Sequence, residues 1–137
     1  MATRYKFRLG DYQSITVSCE PLYGAELRCR ARGRIGRVHW ATQFYASDDQ
    51  IKSFIASMDQ LVGDLRGVAE LDVLTRGGYG GLALNVSVEP RGTIVTKYKA
   101  TGPSGGLRHS EWQASGSYVC YHQHFFTLFT PRTPVAG

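Results

Sequence analysis

Three residues near the C-terminal end have the chemistry of zinc ligands. Cys120, His122 and His124 occupy alternate positions, so an extended strand would project all three side chains to one side. A thiolate and two imidazoles suit zinc, and His109 could supply a fourth ligand. Known structural zinc sites do not use this spacing, and aromatic packing near the end of a domain is the alternative interpretation. Packing is favoured, and no cofactor is expected.

The other residues with catalytic chemistry lack a catalytic arrangement. The sequence has no GxSxG motif, and no pattern in it supplies a cysteine with a histidine base and an orienting carboxylate. Asp48 and Asp49 fall at the start of a predicted helix, and Asp59 and Asp64 fall on its solvent side. The glycine-rich segment 76–81 has neither a P-loop nor a dinucleotide-binding pattern and predicts a hairpin turn. We therefore expect a protein without enzymatic activity.

Basic residues near the N-terminus are the chemical feature that stands out from the composition. The chain has 137 residues, a net charge of +5 and a pI of about 9.3. The whole excess lies in residues 1–37, which hold eight basic and three acidic side chains, whereas residues 38–137 hold eight of each. This asymmetry indicates a surface that binds an anionic partner, although a merely solvated, arginine-rich sheet face has the same pattern.

Length and composition exclude several classes of protein. No apolar run approaches the ~18–20 residues that span a bilayer, and the first residues lack the apolar core of a secretory signal. Three cysteines without a CxxC spacing indicate reduced thiols. We expect a cytoplasmic protein without membrane association, with a single α+β domain over residues 1–130 and a frayed tail over 131–137.

Alternation of apolar and basic residues predicts strands that carry arginines on one side. Segments 3–9 and 26–32 alternate in this way, and segments 14–19 and 38–44 predict two more strands, with a turn at 33–36. If the first, third and fourth strands are neighbours, their basic side chains form one surface. The candidate partner-binding residues are Lys6, Arg8, Arg28, Arg30, Arg32, Arg37, His39 and Tyr79.

One amphipathic helix follows these strands. Ser47 with Gln50 has the pattern of a capping box, and apolar residues then recur every three or four positions over 51–65. Gly67 is the predicted C-cap. Period-two alternation returns in the second half, whereas segment 118–130 fits either a strand or a helix. The pattern predicts a two-layer α+β fold, a largely antiparallel β-sheet with one main helix at about residues 48–65 packed on one face.

The aromatic residues of the predicted strands lie on the side away from the arginines. Tyr5, Phe7, Trp40 and Phe44 alternate out of phase with the basic residues, so we expect them in the core. Proteins that bind single-stranded RNA stack bases on aromatic side chains of the binding surface. A basic face without such partners could hold phosphates but would lack the means to read bases.

Residues 81–100 resemble a motif of the WapI-type immunity proteins of bacterial contact-dependent toxin systems. The strand LALNVSV enters the turn PRG and then the strand TIVTKYKA, as in that family and in related uncharacterised bacterial families. Residues 107–119 fill the place of the next strand, and the helix over 51–65 precedes this region as it does there. The arginine-rich strand and the aromatic segment after Tyr118 have no counterpart in the family.

The resemblance, which covers roughly residues 25–122, implies a non-catalytic protein that binds the C-terminal domain of a cognate toxin and blocks it by occlusion. The basic surface would then meet an acidic patch on the toxin. The alternative is a small basic nucleic-acid-binding domain that uses the same arginines, whose affinity would fall steeply with salt.

Overall fold

The computed structural model describes residues 4–74, 80–102, 112–120 and 125–129, in which nine strands and one helix are formed. The elements are β1 (Tyr5–Gly10), β2 (Ser14–Tyr23), β3 (Glu26–Ile35), β4 (Val38–Ser47), α1 (Asp48–Asp64), β5 (Val68–Val73), β6 (Gly81–Val88), β7 (Ile94–Thr101), β8 (Gln113–Cys120) and β9 (Phe126–Leu128). The predicted α+β class is confirmed. The strands form two antiparallel sheets, ordered β4-β3-β2-β1-β9 and β5-β6-β7-β8.

The first four strands form a meander because tight turns join consecutive strands. Gly24 and Gly36 adopt φ values of 59° and 63°, a left-handed conformation that favours glycine in two-residue turns. The turn predicted at 33–36 is wrong, since β3 continues to Ile35 and pairs there with Val38. Gly33 serves a different purpose: an added Cβ would lie 2.1 Å from the Trp40 ring, so the missing side chain makes room for the indole.

The predicted helix is confirmed, but its C-cap is a different residue. The Ser47 hydroxyl accepts from the Gln50 backbone N–H, and the Gln50 side chain accepts from the Ser47 backbone N–H, which completes the capping box. The C-cap is Leu65, in the left-handed conformation at φ 53°, and not Gly67. The helix spans Asp48–Asp64, within one residue of the predicted range of about 48–65.

The two sheets and the helix enclose one core. The Trp40 ring of the first sheet stacks on Tyr98 of the second, with centroids 5.7 Å apart. The Phe7 ring packs against the Phe54 ring of α1, with centroids 5.5 Å apart. The inner side of the first sheet is therefore covered by both the second sheet and the helix. No helix among the residues that the structure describes is long and apolar enough to cross a membrane.

The segment that sequence patterns left open between strand and helix belongs to two different sheets. Tyr118 lies in β8, where its buried hydroxyl donates to the Leu9 carbonyl oxygen at 2.7 Å. Burial holds the pKa of Tyr118 well above its usual range, so the phenol remains a donor. Strand β9 instead pairs with β1 at the edge of the first sheet. The predicted strand at 107–113 lies mostly outside the described residues.

Candidate anion-binding interface

Strand β3 places its arginines on the outer side of the first sheet. Leu27, Cys29 and Ala31 are at most 3% exposed and point into the core. Because side chains alternate along a strand, the intervening arginines point away from the core. Arg30 and Arg32 are exposed, and Arg28 is half-buried. The alternation of the sequence is therefore a division between core and outer surface.

The first, third and fourth strands are not all neighbours, because β2 lies between β1 and β3. The register nevertheless aligns Lys6 with Ser18 and Ser18 with Arg30. Neighbouring strands are about 4.8 Å apart, so cations on β1 and β3 lie about 10 Å apart across a strand of small polar residues. We call this outer surface the basic face. Its cations are Arg4, Lys6, Arg8, Arg28, Arg30, Arg32 and Arg34.

Two acidic residues share the basic face among the described residues, Glu26 at the start of β3 and Glu20 on β2. Glu20 Oε1 accepts from Arg28 at 2.6 Å and 3.1 Å, and this bond, with the nearby charge, lowers the pKa of Glu20. Both side chains are nearly half exposed, so the pair contributes little to stability. Within the described chain, no carboxylate forms an ion pair with Arg30 or Arg32.

A shallow depression of about 850 Å³ lies at the centre of the basic face. Thr16 and Ser18 of β2 line it between the cations of β1 and β3, and Glu20 is the acidic residue in its lining. Hydroxyl groups and cations are donors for oxyanions, and arginine can donate two parallel bonds to a carboxylate or phosphate. The arrangement can therefore bind anionic groups.

The described part of the basic face includes the aromatic residues Phe129 and Tyr45, which corrects the expectation that it has none. The Phe129 ring centroid is 5.5 Å from Lys6 Nζ and 5.6 Å from Arg8 Cζ. The Phe129 backbone N–H donates to the Lys6 carbonyl oxygen at 2.7 Å, and the side chain is 38% exposed. Tyr45 of β4 is opposite Arg28 and half-buried. The four aromatic residues assigned to the core do lie on the inner side of the sheet: Tyr5, Phe7, Trp40 and Phe44.

One of these two aromatic residues had a sequence signal. Extending the alternation of the fourth strand by one position puts Tyr45 in phase with His39 and Gln43 on the outer side. Phe129 had none, because its position depends on β9 pairing with β1, about 120 residues away in the sequence.

The remaining candidate residues are Arg37, His39 and Tyr79. Arg37 lies at the exposed turn between β3 and β4, and His39 is exposed on β4 opposite Arg34. Both are continuous with the basic face. Tyr79 lies outside the described residues.

The zinc hypothesis gains no support from the part of the chain that is described. Cys120 is half-buried, and burial raises the pKa of its thiol. His109, His122 and His124 lie outside the described residues. Among the residues that are described, no group of three or more His, Cys, Asp or Glu residues could hold a metal ion.

Two further cysteines lie beneath the basic face. Cys19 of β2 and Cys29 of β3 are directly opposite each other on the inner side and are free thiols. The hydrogen bond between Cys19 and Cys29, together with burial, raises the pKa of Cys19 far above its usual value. A buried neutral thiol is a poor nucleophile, so this pair acts as core packing.

Comparisons with protein-family models, with curated proteins and with solved structures find no match. The resemblance to WapI-type immunity proteins therefore stays a prediction, and the geometry of the basic face is the observation that bears on function.

Proposed function

We propose that this protein is a non-catalytic inhibitor that binds a bacterial toxin domain in the cytoplasm and blocks it by occlusion. The basic face is the interface, and an acidic surface of the toxin is its partner. The observation that carries the proposal is the uncompensated charge of this face, which holds seven cations and two acidic groups among the described residues. The resemblance of residues 81–100 to WapI-type immunity proteins supplies the class of partner.

The arrangement of the cations suits docking. Along β3 each arginine is two residues from the next, about 6.8 Å, and no lysine or arginine is its direct cross-strand neighbour. Repulsion between them is moderate in the free protein, and an acidic partner relieves it. Like-signed charges over one surface also steer a partner of opposite charge and speed association. An inhibitor that must reach a toxin before it acts benefits from a fast association rate.

The first test concerns genetic context and rescue. The proposal expects the neighbouring gene to encode a toxin, and it expects co-expression of this protein to restore growth of cells that produce the toxin's C-terminal domain. Reversal of three charges, Arg28→Glu, Arg30→Glu and Arg32→Glu, is expected to abolish the rescue. The control is Lys97→Glu with Lys99→Glu, two exposed lysines of the second sheet, which is expected to rescue like the wild type.

Folding of both variants is checked by circular dichroism and thermal unfolding, because a variant that has lost its fold would also fail to rescue. Rescue by the folded triple variant would place the interface elsewhere. A neighbouring gene that encodes no toxin, together with failure to bind any toxin domain, would contradict the function itself.

A further inference from the structure

The depression on the basic face combines hydroxyls and cations in a regular array. Hydroxyls of two β2 residues lie between a cation on β1 and a cation on β3. Consecutive outward residues of a strand are about 6.8 Å apart. Two such rows of cation, hydroxyl and cation therefore leave room between them for a phosphate group and the sugar attached to it. The rows are Lys6–Ser18–Arg30 and Arg8–Thr16–Arg32, and all of these residues except Arg8 line the depression.

An aromatic ring adjoins this array at the β9 edge. Phe129 lines the depression, is 38% exposed, and has the cationic groups of Lys6 and Arg8 within 5.6 Å of its ring centroid. Arg8 Nε is buried and has no hydrogen-bond partner among the described residues. An aromatic face beside a set of oxyanion donors is what a base joined to a phosphate requires. The volume of about 850 Å³ is in the range of small-molecule sites and exceeds what inorganic phosphate fills.

We propose that the depression binds a nucleotide unit, as a free nucleotide or as part of a single-stranded nucleic acid. The base stacks on Phe129, and the phosphate lies over Thr16 and Ser18 between Arg30, Arg32 and the cations of β1. A base pair within a duplex offers no free face to the ring, so a duplex is expected to bind more weakly than a single strand. This inference goes beyond toxin binding and does not depend on it.

The experiment measures affinity for defined probes at low salt. A fluorescein-labelled ten-residue oligouridine is titrated by anisotropy, a duplex of the same length serves as a comparison, and uridine and adenosine monophosphates are titrated by calorimetry. Phe129→Leu, which keeps an apolar side chain without the ring, is expected to weaken binding of the oligonucleotide about 5- to 100-fold. Arg32→Gln is expected to reduce the slope of log K against log salt by about 0.7.

The matched control is Lys97→Gln with Lys99→Gln, which removes two exposed cations from the other sheet and is expected to leave affinity unchanged. Binding of the monophosphates identifies a free nucleotide as the ligand, whereas binding of the oligonucleotide alone identifies a single strand. Three results would each overturn the proposal. The first is that neither the oligouridine nor a monophosphate binds at about 1 mM. The second is equal affinity for the duplex and the single strand, and the third is undiminished affinity of a folded Phe129→Leu variant for the oligouridine. None of these results bears on rescue from a toxin, so the two proposals fail separately.

Discussion

The outer sides of the two sheets differ in their balance of charge. The basic face of the first sheet holds seven cations and two acidic residues among the described residues. The outer side of the second sheet carries two acidic residues on β5, Glu70 and Asp72, and two lysines on β7, Lys97 and Lys99. Between them on β6, Asn85 donates to Glu70 at 2.8 Å. Among the described residues, the charges on the second surface therefore cancel, whereas the first surface has a large excess of positive charge.

The contrast shows why the net charge is a local property. On the second sheet, opposite charges lie two strands apart, about 10 Å, which is close to the screening length of physiological salt. On the first sheet, the strand between the cations carries mainly hydroxyls, and the Glu20 carboxylate is occupied by Arg28. A sheet surface can thus be neutral without direct ion pairs. On the first sheet, the arginines of β3 have no such compensating acidic residues two strands away on β1. An uncompensated surface is a feature of interfaces with anionic partners.

The largest expected effect is a difference in stability between substitutions on the inner and the outer side of β1. Phe7 is fully buried against Phe54 and Phe126, so Phe7→Ala should lower the free energy of unfolding by about 3–5 kcal/mol. Its neighbour Lys6 points outward, and Lys6→Ala should change stability by about 0.5 kcal/mol or less. Urea denaturation measures both. Similar losses for the two variants would contradict the division between a structural and a binding side.

A smaller effect is expected where β3 makes room for the core. Gly33→Ala puts a methyl group 2.1 Å from the Trp40 ring, and overpacking of this kind costs about 1–3 kcal/mol. The control is Gly63→Ala in α1, where an added Cβ meets no atom within 4 Å and stability should be unchanged or rise by up to about 1 kcal/mol. Thermal unfolding compares the two. A neutral Gly33→Ala would show that Trp40 is not held against this backbone.

The smallest effect concerns the acidic residue within the depression. Glu20→Gln raises the positive charge of the basic face and releases Arg28, so binding of an anionic probe should strengthen a few-fold at neutral pH.

Because the folded pKa of Glu20 is lowered, its small contribution to stability is present above the unfolded value of about 4.3. The contribution is lost as the pH falls through the lower folded pKa. The free energies of unfolding of the wild type and Glu20→Gln, measured from pH 7 to pH 2, should therefore converge in acid. A difference between them that does not change with pH would contradict the role of the Glu20–Arg28 pair.

Local periodicity was sufficient to predict the helix and the side of the sheet on which the arginines lie. The Ser47 capping box and the alternation around Arg30 each depend on residues within one element. Turn positions were predicted less accurately. The sequence predicts Gly33 in a turn, but it lies in a strand, where the absence of a side chain leaves room for the Trp40 indole. Sequence spacing alone does not distinguish these two uses of glycine.

Features that depend on distant pairing could not be predicted. The division of the strands into two sheets and the position of β2 between β1 and β3 are properties of the whole chain. Phe129 reaches the basic face only because β9 pairs with β1. The arginines of the candidate site were thus visible in the sequence, whereas the ring beside them was not.

The central claim is that the location of the charge, not its total, makes the basic face an interface. Two double variants test it: Arg30→Glu with Arg32→Glu, and Lys97→Glu with Lys99→Glu, each of which lowers the formal net charge from +5 to +1. Calorimetric titration with the toxin domain that the proposal expects should show roughly a hundredfold or greater loss of affinity for the first variant and an affinity within about threefold of wild type for the second. Equal affinities of the two folded variants would contradict the account.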